Sequence, residues 1–266
     1  MASNYSRTRL ALLSLVFPTA LFAQEFEPGY IDPAPILAAA SAAIGEDRLS
    51  CISISGTAYS GMVGQQRLNG YEVDWPRGEA LRNYTRVIDW NSVRMVETFE
   101  PGNNPASWKY GLGWYGGTPI QQEERQVFSL NGQFAWHQDG LNADPVAALS
   151  VDAERWQLDM WLTPHGFLKA ARLPGANPRA SWRWELGEMG RDGATVNPEK
   201  MTIVSITLMD KYRVDATINS QNLLQRIHTW VPDPVIGDPN YEHEFSNADY
   251  IDIGDGIRFP TTWHHH

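Results

Sequence analysis

The chain has 266 residues, 42% of them hydrophobic, with a formal net charge of −10. That length is enough to build an ordinary hydrophobic core, and an acidic field of this size excludes nucleic acid and anionic lipid as partners held by overall charge. The single cysteine, Cys51, excludes an internal disulfide, and its place in an alternating apolar segment predicts a small buried side chain.

At the N-terminus, Arg7 and Arg9 precede an apolar run from Leu10 to Phe22, and Ala23 follows. Basic, then apolar, then small is the order of a secretory signal peptide, and the run is too short to span a membrane. The expectation is an exported protein, periplasmic or extracellular, cleaved near Ala23. Residues 24–266 are then one α+β domain with no membrane span. No cysteine directly follows the apolar run, which argues against a lipid anchor there.

The first element of that domain is a helix. Asp32 caps Pro33, and Ile36, Leu37, Ala40 and Ile44 recur at helical spacing until Gly45. From Cys51 to Tyr59 the period becomes two, which predicts a strand. Residues 83–90 and 93–99 form a hairpin around Asn91-Ser92. Residues 100–122, with Trp108, Tyr110, Trp114 and Tyr115, read as a long surface loop with aromatic anchors. A second hairpin turns at Asn131-Gly132. A helical zone from about Pro145 to Ala171 divides at Thr163-Pro164, since Thr163 suits an N-cap and Pro164 a first helical position. Strands resume at 181–187, 201–209, 212–218 and 222–230, and residues 241–252 and 257–263 close the series. Strands and helices segregate along the chain, which argues for an antiparallel sheet and against alternating βαβ units.

The chemistry search is mostly exclusion. No His-x-His-x-Asp-His or His-Glu-x-x-His run occurs, so no metal ligand is assigned. His243 lies between Glu242 and Glu244 on a strand that reads as a solvated face. His264 to His266 are native or part of a tag. No Gly-x-Ser-x-Gly is present, and Gly111 to Gly116 matches Gly-x-Gly-x-x-Gly without opening a helix. No catalytic residue and no cofactor is expected. His165 stands out between Pro164 and Gly166. As the second residue of a helix it faces the positive dipole end, which favours neutral imidazole. It then either hydrogen-bonds a ligand or fixes the helix corner on a backbone carbonyl.

Several stretches together resemble one family. They are Trp161 to Ala171, Tyr212 to Asp215, Ile218 to Asn222, Thr229 to Asp238, and Asp249-Tyr250 with Gly256 to Thr261. The similarity is to the exported bacterial metallo-β-lactamase-fold hydrolases, in the region ahead of their metal domain, and it covers most of residues 35–262. The chain stops where that domain would begin, so the resemblance implies no catalytic residue here. The closing segment Asp249-Tyr250 and Gly256 to Thr261 is also similar to the last hairpin of LolA-like lipoprotein carriers. That likeness implies a curved antiparallel β-sheet, a half-barrel, covered by a few helices over an apolar cavity.

The leading expectation is therefore a non-catalytic domain that binds an apolar small molecule or lipid, or a partner surface, between sheet and helices. Trp136, Trp161, His165 and Trp230 are the residues expected to line or border that space. Two rivals stand beside it. The chain could be an accessory part of a zinc-dependent hydrolase, paired with a hydrolase domain, or a structural dimerisation module paired with a second copy.

Overall fold

The computed structural model describes residues 29–60, 79–103, 124–140, 142–185, 199–232, 240–245 and 250–265. Residues 31–266 form one compact unit and residues 1–30 another, of which only Gly29 and Tyr30 are described. The expected export segment 1–23, most of the aromatic loop 100–122 and Asp249 lie outside the described residues.

The chain opens on α1, Pro33–Ile44, where Asp32 accepts a hydrogen bond from the Ala34 amide and Gly45 ends the helix in the left-handed region at φ 66°. A single 3-10 turn, Glu46–Arg48, leads into β1 (Cys51–Ser60), β2 (Glu79–Asp89), β3 (Arg94–Asn103), β4 (Gln126–Asn131), β5 (Phe134–Asp139) and the short β6 (Val146–Ala147). Helices α2 (Ser150–Trp161) and α3 (Pro164–Ala170) follow. Strands β7 (Arg179–Glu185), β8 (Glu199–Leu208), β9 (Tyr212–Ile218), β10 (Leu224–Trp230), β11 (Asn240–Phe245), β12 (Tyr250–Asp252), β13 (Arg258–Pro260) and β14 (Trp263–His265) complete the fold.

The architecture is α+β, with antiparallel sheets and three helices among the described residues. The pairing differs from a single continuous sheet. It divides into a six-stranded ladder β1-β2-β3-β4-β5-β6, a second ladder β14-β11-β10-β9-β8-β7, and a ribbon β12-β13. The break falls where α2 and α3 intervene, because consecutive strands pair through short turns and two helices separate β6 from β7.

Side chains directly opposite one another share a face, so each ladder carries transverse rows. In the first, Ile52, Ile88, Met95, Leu130 and Ala135 form one row. In the second, Ala180, Val204, Ala216 and Ile227 form another, continued by His243 and His265. Both rows meet the helices in one core with Ala40, Ile44, Leu158, Phe167 and Leu168. Full burial of a side chain such as Phe167 or Leu158 stabilises the fold by about 1.5–3 kcal/mol. Cys51 departs from expectation. It is exposed, because in β1 the residues turned to the core are Ile52 and Ile54. No described helix is long and apolar enough to cross a membrane.

Candidate functional site

The junction between α2 and α3 is built by a short polar code. Thr163 accepts a hydrogen bond from the Gly166 amide at 3.2 Å, and its hydroxyl donates to the Met160 carbonyl at 3.1 Å. Pro164 needs no partner for its nitrogen at the first helical position. Gly166 is required by space, since an added Cβ would lie 2.6 Å from Thr163 Oγ1 and 2.7 Å from the Met160 carbonyl oxygen. The corner thus packs backbone against backbone, and it turns His165 inward.

His165 is fully buried. Its Nε2 donates to the Ile44 carbonyl, 3.3 Å away at the last residue of α1. Its ring stacks between Trp90, at 6.0 Å between centroids, and Phe259, at 5.4 Å. With Nε2 carrying the proton, Nδ1 is the acceptor nitrogen, and it has no hydrogen-bond partner among the described residues. Desolvation by burial lowers the pKa of His165 to about 4, so the ring is neutral at physiological pH.

The three expected tryptophans lie in different environments. Trp161 closes α2 inside the core at 5% exposure. Trp230 ends β10 partly exposed, at 41%, with the Arg213 guanidinium 5.5 Å from its ring centroid and His228 edge-on at 4.9 Å. Trp136, in β5, borders a groove of about 960 Å3 between the β5–β6 edge and α2. The fold therefore stacks His165 on Trp90 and Phe259 and does not gather the four residues around one space. Ala135, Pro145, Ala147, Ala148, Ala153 and Met209 give the groove its apolar wall, and Gln133, Glu154 and Gln157 its polar one. Phe134 also lines it and is exposed, and Val146, Leu149 and Val151, next in sequence to lining residues, are exposed as well.

Glu154 is engaged at this rim. It accepts hydrogen bonds from Lys211 and Tyr212, and Lys211 is the first cause of its lowered pKa. The residue stays anionic and faces the groove as an acceptor.

A second polar cluster was not legible in the sequence. Arg86, on the core side of β2, pairs with Glu97 of β3 and, at 2.8 Å, with Asp159 Oδ2 of α2. Tyr84 donates to Glu97 at 3.0 Å. Burial would raise the Asp159 carboxyl, and the Arg86 charge overrides it and holds the group well below the usual carboxylate range. The other oxygen of Asp159 lies 2.9 Å from His243 Nε2 and 3.9 Å from His265 Nδ1. Asp159, His243 and His265 together bring one ligand atom each within 4.8 Å of one another. His243 is nearly fully buried, so its strand face points to the core and not to solvent.

No protein-family model and no curated protein matches the chain. Among solved structures, a LolA superfamily protein from Nitrosomonas europaea is similar, at 10% identity and a TM-score of 0.33 over 86% of this chain and 83% of that one. A likeness at that level is too weak to carry a ligand or a detailed fold across.

Proposed function

We propose that this is the binding domain of an exported protein, and that the groove between β5–β6 and α2 holds one amphipathic small molecule. The observation that carries this reading is the groove itself. Its volume of about 960 Å3 suits a single molecule of lipid or drug size. Its wall is largely apolar, and Phe134 in that wall is an exposed large apolar side chain. Trp136 supplies the largest flat contact, and Glu154 and Gln157 supply acceptors and donors for a polar head. The acidic chain and the anionic Glu154 favour a head that is neutral or cationic.

The wider architecture belongs to the same proposal. The two ladders share one core with the helices, which supports a sheet system wrapped over α1, α2 and α3 in the manner of a half-barrel. Export rests on the order of Arg7, Arg9, the apolar run and Ala23.

A neutral apolar fluorophore, N-phenyl-1-naphthylamine, tests the groove. Saturable one-to-one binding is expected. Trp136→Ala should remove an aromatic wall and Ala147→Glu should place a charge in the apolar one, each weakening binding about tenfold or more. Trp230→Ala should leave it unchanged. Absence of saturable binding, or equal loss in all three variants, would overturn the reading. Light scattering on the same samples separates it from a dimerisation module, whose mass would double with the groove closed to the probe.

A further inference from the structure

We propose that Asp159, His243 and His265 form a binding site for a divalent first-row transition metal, of which Zn2+ is the natural probe. The site is separate from the groove. Both involve α2, yet the groove takes Ala153, Glu154 and Gln157, and the metal site takes Asp159.

The ladder prepares two of the ligands. His243 of β11 pairs directly with His265 of β14, so both imidazoles leave the sheet on the same face. Their ring centroids are 4.4 Å apart. They continue the row of Ala180, Val204, Ala216 and Ile227, which is otherwise apolar. Two histidines at the end of such a row need a reason, and the reason faces them from α2. Asp159 directs Oδ1 at His243 Nε2, 2.9 Å away, with His265 Nδ1 at 3.9 Å.

The geometry suits an ion with nitrogen and oxygen ligands. Donors about 2.1 Å from a tetrahedral ion lie roughly 3.4 Å from one another. Two of the three separations, 2.9 and 3.9 Å, straddle that value, and all three ligand atoms lie within 4.8 Å of one another, so side-chain shifts of up to about an ångström would close the site. Two imidazoles and one carboxylate are a ligand set of zinc and its first-row neighbours, and they leave at least one position for water.

The charge around the site also fits. Arg86 binds the far oxygen, Oδ2, and so fixes the carboxylate plane with Oδ1 turned toward His243 and His265. With Glu97 on the other side of Arg86, two carboxylates face one guanidinium, and the buried group keeps an excess negative charge when both imidazoles are neutral. A dication answers that excess. The rival is an Nε2–H of neutral His243 donating to Asp159, which would make the 2.9 Å contact an ordinary hydrogen bond.

The experiment is titration of chelator-treated protein with Zn2+ alone, by calorimetry and by bound-metal analysis, followed by Co2+ absorption. One equivalent per chain is expected, with the visible bands of a nitrogen- and oxygen-ligated Co2+ ion. His265 is partly exposed, so His265→Ala should fold normally and weaken Zn2+ binding at least tenfold. His243→Ala should weaken it as much, with His265→Ala as the variant whose folding is not at stake. The double variant His264→Ala, His266→Ala should bind within twofold of the parent, because His264 pairs with Glu244 on the opposite strand face. Equal loss in that double variant would mean chelation by the terminal histidines alone and would overturn the proposal. So would full binding by His265→Ala, or no stoichiometric Zn2+ in the parent. Trp136→Ala should bind Zn2+ normally, which keeps this result distinct from the fate of the groove.

Discussion

The His165 Nε2 proton is held by the carbonyl of Ile44, 3.3 Å away and 121 residues earlier in the chain. This one hydrogen bond ties the end of α1 to the corner between α2 and α3. The carbonyl it satisfies is one that a helix C-terminus leaves without an internal partner. Burial between Trp90 and Phe259 then keeps the ring neutral.

Acid stability should report that arrangement. The folded pKa of about 4 lies below the ordinary histidine value of about 6.5, so the unfolded chain takes up a proton that the folded chain refuses. The contribution is whole above about pH 6.5 and is lost as pH falls from there toward 4. Its size, from the shift, is roughly 3 kcal/mol. Urea unfolding of the parent should weaken by that order across this window. His165→Gln can still donate an amide hydrogen to Ile44 and does not titrate, so its stability should be flatter between pH 6.5 and 4. An identical slope in the two proteins would show that His165 is not the group responsible.

Gly166 should tolerate no side chain. A Cβ there meets the capping oxygen of Thr163 at 2.6 Å and the carbonyls of Met160 and Trp161 at 2.7 and 3.0 Å. Backbone oxygens cannot rotate away, so Gly166→Ala must push α3 off the end of α2. The expected cost is about 2 kcal/mol, read as a drop in thermal midpoint. Gly56→Ala in β1 is the control. Nothing lies within 4 Å of its Cβ position, and that substitution should leave the midpoint unchanged or slightly raised.

Much of this was readable because it is local. Asp32, Pro33 and Gly45 mark both ends of α1, and Thr163-Pro164 marks the break between α2 and α3. Asn131-Gly132 makes the β4–β5 turn with Gly132 at φ 60°. The strands after residue 178 begin and end within about two residues of expectation up to Trp230. Past that point, the expected strand 241–252 is two separate strands and the expected 257–263 is two more, ending in the histidine run. What remained hidden depends on which strands pair. Arg86 alternates with Tyr84 and Ile88, an inward set, and a lone arginine there reads as an error until Asp159 arrives from α2. His243 and His265 are 22 positions apart, and only the β11–β14 register places them opposite each other. A charged residue in an otherwise apolar row was the available signal, and no local periodicity explains it.

Glu46 and Arg172 should behave asymmetrically although they form one ion pair. Glu46 is 1% exposed, and it accepts from Ser41 Oγ at 2.8 Å, from Lys169 Nζ at 3.0 Å and from Arg172 Nη1 at 2.7 Å. Arg172 is about half exposed, with 54% of its side chain in water. Removing the Glu46 side chain leaves the Lys169 ammonium with the residue-46 carbonyl but without its counter-charge, and strips Ser41 of its acceptor. Removing Arg172 leaves Glu46 still bound by Lys169 and Ser41. Glu46→Ala should therefore cost about 2–4 kcal/mol, as breaking a buried pair does. Arg172→Ala should cost about 1 kcal/mol or less, as a solvent-screened pair does. Because the two groups touch, the double variant should cost about as much as Glu46→Ala alone. Urea midpoints of the three variants give the comparison. A loss in Arg172→Ala equal to that in Glu46→Ala would place the stabilisation in the surface pair and not in the burial of Glu46.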